Sequence, residues 1–235
     1  MINIDKKKIS FFKKNGFLII PNFFSKKDED VIYKIIKKFI YNQLLSYKIN
    51  LKLSNYKKTF LQKNLISIEK KKKIIIHNLY ETLHATPYFI NLFYSKSIIR
   101  FATKFMNCDK NALFCTSQRL RIDPPGDRPY RLKWHQESRY SKSRQINGIQ
   151  YWSPFFFDAS LTNGTIQVYA GSHTKGIFPV GKNSNKNRKF KSDNFFIDEK
   201  FLSKKFKKIT INCKNRSLVV FSTGLVHRSS DPKIQ

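Results

Sequence analysis

Cysteine is scarce in this chain and has no pairing pattern. Three residues among 235, Cys108, Cys115 and Cys213, lack the close spacing of a disulfide frame or a zinc site. They read as reduced, partly buried thiols of a cytosolic protein. Acidic side chains are also few, 15 Asp and Glu against 46 Lys and Arg. Long apolar runs are missing. Met1 to Lys8 has no stretch of signal-peptide length, and no run approaches the roughly 20 residues of a membrane span. The expected compartment is the cytoplasm, with no membrane span. No internal repeat is present, so a repeat architecture is set aside.

What the chain does have is positive charge, +31 net. Such a balance suits nucleic acid or an anionic membrane surface. It also suits the coding bias of an AT-rich genome. Lys is spread along almost the whole chain and comes with abundant Asn, Ile, Phe and Tyr. The second reading is preferred, and no nucleic-acid partner is expected. With 40% hydrophobic residues the chain can bury a sizeable core. Residues 1–235 are read as one domain, helical over 1–108 and β-rich over 109–235.

In the N-terminal part, a short helix is expected to end at Asn15-Gly16. Phe17 to Ile20 follows as a buried strand, closed by Pro21-Asn22. Ser25-Lys-Lys-Asp28 has the form of a capping box. It opens a helix with Val31, Ile32, Ile35, Ile36, Phe39, Ile40 and Leu44 at helical spacing. Residues 46–66 read as a polar loop. Ile68 to Leu83 is a second helix, and a third begins at Pro87 and runs to about Phe105. His77 and His84 share a helical face, and a structural or surface role is favoured for both.

From Asn111 the helical period gives way to short β-branched and aromatic stretches: 112–122, 131–137, 148–157, 165–169, 209–213, 217–221 and 225–226. Pro124-Pro125-Gly126-Asp127 and Thr162-Asn163-Gly164 are turn sequences between them. Many short strands after a helical third imply a mainly β fold with N-terminal helices. The expected form is a double-sheet jelly roll with the helices packed on one sheet. Residues 181–207 are a polar Lys/Asn-rich insertion, long enough for a mobile lid.

The chemistry concentrates at Lys133-Trp134-His135-Gln136-Glu137. In an extended segment, residues i and i+2 project from one face, so His135 and Glu137 aim an imidazole and a carboxylate at a common point. His227, at the end of the apolar run from Ser217, is the available third donor. Two histidines and one carboxylate on one side of an ion form the facial set of non-haem Fe(II) oxygenases.

Four motifs in order resemble the phytanoyl-CoA dioxygenase family of Fe(II)/2-oxoglutarate oxygenases. They are Asn15-Gly-Phe-Leu-Ile-Ile20 before a capped helix, Trp134-His-Gln-Glu137, Asn163-Gly164 through Gly171-Ser-His-Thr-Lys-Gly176, and Ser217 to Phe221 with Val226-His-Arg-Ser229. Ala170 stands where the family usually has Pro, and Glu137 where Asp is common. The resemblance implies a cupin-like double-stranded β-helix. It implies Fe(II) held by His135, Glu137 and His227, with 2-oxoglutarate and O₂ as co-substrates and succinate and CO₂ as co-products. Ser229 would reach a 2-oxoglutarate carboxylate, as would Gln118 on the first core strand. His173 in the Gly-Ser-His turn is taken as structural, and Trp134 as core.

In the family an arginine roughly ten residues past the distal histidine forks onto the far carboxylate of 2-oxoglutarate. This chain stops at Gln235, eight residues after His227, and Arg228 would face away. A C-terminally truncated chain is the favoured expectation. The leading reading is a dioxygenase hydroxylating a small molecule, since Glu137 fills the position that halogenases leave open for chloride. A catalytically silent homologue acting as a binding or scaffold protein is the alternative. Arg119, Arg121 and Arg139 near the mouth would favour an anionic group on the substrate.

Overall fold

The computed structural model describes residues 4–115, 120, 132–140, 148–180 and 196–230. Helix α1 (Lys6–Asn15) begins where the Asp5 carboxylate accepts the Lys8 N–H at 2.8 Å, and ends at Gly16 in the left-handed region (φ 81°). Strand β1 (Phe17–Ile20) follows directly.

Helix α2 (Lys26–Ser46) carries the full capping box: Asp28 N–H donates to Ser25 Oγ, and Ser25 N–H donates to Asp28 Oδ2. Its buried stripe Ile32, Ile36, Ile40 and Leu44 repeats every four residues, as an amphipathic helix requires. These side chains pack with Phe60, Leu65, Ile68, Ile75, Leu79, Leu83 and Phe89 into a helical core separate from the sheets.

Of the stretch expected to be a loop, residues 47–56 carry no helix or strand, but the second half is helical. Helix α3 (Lys57–Thr59) runs through a π-helical segment (Phe60–Asn64) into α4 (Leu65–Lys71). Leu65 N–H donates to Phe60 O, five residues back. Phe60 and Leu65 are both buried, and their spacing of five breaks the 3.6-residue period that a sequence reading follows. The expected second and third helices are each divided. Lys72 (φ −155°, ψ 82°) separates α4 from α5 (Lys73–Thr82), so both can turn their apolar sides into one cluster. Ser95 caps a new helix, so α6 (Pro87–Phe93) and α7 (Lys96–Met106) are distinct.

The β part consists of two small antiparallel sheets. One has the order β1, β5 (Leu218–Ser222), β2 (Ile149–Trp152). The other has the order β4 (Lys207–Thr210), β3 (Ile166–Ala170), β6 (His227–Ser229). Leu18, Ile20, Leu218 and Val220 cover one face of the first sheet and pack against Phe12 of α1 and Ile98 and Phe101 of α7. Phe17, Val219 and Phe221 cover the other face and meet Ile166 and Val168 of the second sheet. Alternation along each strand thus puts helices behind one sheet and the second sheet in front.

Several expected strands shrink. Ala112 closes a 3-10 turn (residues 110–112), and residues 116–119 and 121–122 of the expected 112–122 strand lie outside the described residues. Over the described residues 132–137, the 131–137 strand reduces to a single bridge at His135. Of the 181–207 insertion, residues 181–195 lie outside the described residues. The rest is docked: Ile197 and Leu202 of the segment around α8 (Glu199–Ser203) are buried against Trp134, Phe178 and Val226. Ile197 N–H donates to Trp134 O at 2.8 Å. Among the described residues no helix is long and apolar enough to cross a membrane.

Candidate metal centre

The site is built on one backbone pairing. His135 N–H donates to His227 O, and His227 N–H donates to His135 O, each at 3.0 Å. The second sheet thereby gains a one-residue extension along β6. In β6, His227 lies opposite Val168 and Ser229 opposite Ile166, so both face the space between the sheets. Arg228, opposite Gln167, faces outward. There it donates to Gln167 Oε1 at 2.9 Å, approaches Glu199 at 3.6 Å and stacks on the Trp134 ring. It is turned away from the site, as its place next to a ligand candidate implied.

Glu137 does not continue a strand from His135; it opens a 3-10 turn (Glu137–Arg139). Gln136 between them is still extended (φ −122°, ψ 131°), so His135 and Glu137 project to one side before the chain turns. One donor atom from each of His135, Glu137 and His227 lies within 4.8 Å of the other two. The imidazole rings sit 4.2 Å apart between centroids.

Tautomers follow from the partners. His135 Nδ1 is 2.7 Å from Lys133 O, and His227 Nδ1 is 2.9 Å from Leu225 O. A carbonyl only accepts, so each Nδ1 must carry the proton and donate. Each Nε2 is then left with its lone pair. His135 Nε2 is buried without a hydrogen-bond partner, its nearest carboxylate oxygen being Glu137 Oε1 at 3.6 Å. An orphaned buried lone pair is costly unless something binds it. Imidazoles anchored through Nδ1 to backbone carbonyls are the arrangement that orients metal-ligating histidines.

Burial pushes the Glu137 carboxyl up, but its polar neighbours His135, His227 and Gln150 outweigh that and hold it below the ordinary carboxylate range. Glu137 is therefore a carboxylate at neutral pH. The resulting N₂O donor set fits Fe(II) or another divalent first-row metal. Phe221 packs edge-on to His227 and Tyr140 edge-on to His135, which gives the pair aromatic walls.

The other sequence candidates are placed as follows. Ser229 lies two residues along β6 from His227, half-buried and on the same side. Gln118 lies outside the described residues, as do Arg119 and Arg121. Arg139 donates to Phe178 O at 3.4 Å. His173 is remote from the donor cluster: its Nε2–H donates to Lys13 O at 3.0 Å, and its ring lies over Gly16. Trp134 is core, 4% exposed against Tyr169. His77 is exposed and His84 half-buried, and neither belongs to the cluster.

Sequence reading overlooked Gln136 and Gln150. Gln150 sits opposite Phe221 on the sheet face that carries Trp152, beside the site. Gln136 is 1% exposed. Strand alternation puts Gln136 on the face opposite the site, and it is the fold that buries that face and supplies its partners.

A family model described as phytanoyl-CoA dioxygenase (PhyH) matches residues 12–232. No curated protein matches the sequence. Among solved structures, EctD from S. alaskensis is similar at 14% identity and TM-score 0.62, over 97% of this chain and 71% of that one. EctD has also been crystallised with bound Fe, and with 2-oxoglutarate and 5-hydroxyectoine. EvdO2 from Micromonospora carbonacea var. aurantiaca, complexed with 2-oxoglutarate, is similar at 15% identity and TM-score 0.56, over 100% and 87% of the two chains. The non-heme alpha-ketoglutarate-dependent carbocyclase SnoK from nogalamycin biosynthesis is similar at 11% identity and TM-score 0.57, over 98% and 79%.

Proposed function

The chain belongs to the phytanoyl-CoA dioxygenase family, and on that premise we propose that it is an Fe(II)/2-oxoglutarate-dependent dioxygenase that hydroxylates a small molecule. The observation that carries this reading is the tautomer-locked pair of histidines with a carboxylate beside it. Its two sheets are taken as the halves of a double-stranded β-helix around that site.

Iron, when bound with 2-oxoglutarate, supplies O₂ chemistry coupled to decarboxylation of the 2-oxo acid to succinate and CO₂. The chain's part is to place and tune. His135 and His227 present Nε2 lone pairs, made more basic by their Nδ1–H donation to Lys133 O and Leu225 O. Glu137 contributes one negative charge opposite two neutral rings. Ser229, on the same face of β6, is assigned to a carboxylate of 2-oxoglutarate. Phe221, itself buried, covers one side of the His227 ring, and Tyr140 meets the His135 ring edge-on.

Purified protein given Fe(II), ascorbate and 2-oxoglutarate is expected to release succinate slowly even without its substrate. The His135→Ala and His227→Ala variants are expected to release none. Succinate release that survives both substitutions would sink the assignment.

A further inference from the structure

Gln136 spends three of the four hydrogen-bonding positions of its amide on backbone. Its Nε2 donates to Gly176 O at 2.8 Å and to Gly224 O at 2.7 Å, while its Oε1 accepts from Phe178 N–H at 2.8 Å. The amide orientation is forced, because two partners are carbonyls and the third is an N–H. The side chain leaves the chain between His135 and Glu137. It reaches the turn three residues before His227 on one side and the 3-10 turn Ser172–Lys175, through Gly176, on the other.

That second turn meets the other ligand arm as well. Ser172, fully buried, accepts the Val226 N–H on its Oγ at 2.9 Å. Val226 immediately precedes His227. The Gly171-Ser-His-Thr-Lys-Gly176 turn is thus tied to both arms, through Gln136 to one and through Ser172 to the other. His173 ties the same turn to α1.

We infer that Gln136, with Ser172, is a positioning residue that sets the separation and aim of the two donor arms, and so governs metal affinity without touching the metal. The inference rests on the His135, Glu137 and His227 assignment. The His135–His227 backbone pair, flanked by Ser229 N–H donating to Leu132 O at 3.3 Å and Ser138 N–H donating to Thr223 O at 3.0 Å, fixes where the two arms meet. The Gln136 amide, held at three points on the opposite side of the chain, adds a side-chain tie from the His135–Glu137 arm to the Gly176–Phe178 backbone and to Gly224 before His227, and so sets how the donor side chains lean toward each other. Losing a group that orients a ligand typically weakens metal binding by about 10–100-fold.

Co(II) is the probe, titrated anaerobically into wild type, Gln136→Met and Ser172→Ala, with near-ultraviolet circular dichroism confirming the fold of each. Gln136→Met keeps the volume and removes all three bonds; Ser172→Ala is the milder variant should the first not fold. The expected result is a Kd raised about 10–100-fold in Gln136→Met, with a changed Co(II) visible spectrum at saturation. Ser172→Ala is expected to shift the same way by a smaller factor. A side chain that merely filled the core would lower the melting temperature of the metal-free protein and leave Kd and spectrum alone. Wild-type Kd in the folded variants overturns the inference. A folded wild type that binds no Co(II) overturns the metal assignment itself, and the inference with it.

Discussion

His135 and His227 exchange both of their backbone hydrogen bonds, N–H to carbonyl, at 3.0 Å in each direction. The two donor arms are therefore joined by main chain, and the imidazoles can be removed without parting them. His135→Ala and His227→Ala are expected to keep their circular dichroism spectra. Fe(II) affinity is expected to fall by at least the about 100-fold that marks the upper range for losing a mere supporting group. Anaerobic titration calorimetry checks both, and a collapsed fold in either variant would contradict this account.

Gly16 couples the N-terminal helix to the site's supporting turn. Its φ is +81°, and an added Cβ would meet His173 Nδ1 at 2.5 Å and Leu225 Cδ1 at 2.8 Å. The left-handed backbone alone costs a non-glycine residue about 1–2 kcal/mol. Gly16→Ala should lose at least that much stability, read as a lower urea midpoint with an unchanged slope.

The α2 cap makes stability sensitive to acid. Burial raises the Asp28 carboxyl, but hydrogen bonds from Ser25 Oγ–H, Tyr88 O–H and the Ser25 N–H outweigh it and hold it below its ordinary 3.8. A carboxyl depressed by folding contributes stability above its unfolded pKa and loses it as pH falls through the folded one. Unfolding free energy should therefore decline on acidification below about pH 4. Asp28→Asn should be less stable at neutral pH and flatter over the acid limb. Ser25→Ala should cost about 1 kcal/mol. Urea unfolding at several pH values reads all three.

Thiol reactivity should divide the cysteines. Burial pushes the Cys213 thiol up to about 11, so little thiolate exists near pH 8. Cys115 is exposed. Iodoacetamide labelling followed by peptide mass spectrometry should mark Cys115 well before Cys213, and equal labelling would contradict the packing around β4 and β5.

The clustering of His135, Glu137 and His227 was legible because strand alternation and residue chemistry together point to those three. Alternation gave the right side for a partly wrong reason: Glu137 heads a turn, and only the extended Gln136 preserves the common face. The capped helix at Ser25 and the stop at Gly16 were legible because each is a local event written in two or three residues. Helix α3–α4 was not, because its π-helical segment shifts the apolar period between Phe60 and Leu65. Nor was the break at Lys72, where packing of two helices into one core overrides a continuous pattern. Gln136 is the instructive omission. Alternation sets it on the face opposite the site, but its partners at Gly176 and Gly224 are distant in sequence and only the fold brings them near.

The most direct test of the central claim is an anaerobic titration of 2-oxoglutarate into the Fe(II)-loaded protein, followed by visible absorption. The account predicts the weak charge-transfer band of a 2-oxo acid bound to Fe(II) through two oxygens, present in wild type and absent from His135→Ala and His227→Ala. A correctly folded wild type that binds Fe(II) and 2-oxoglutarate but never develops the band would contradict it.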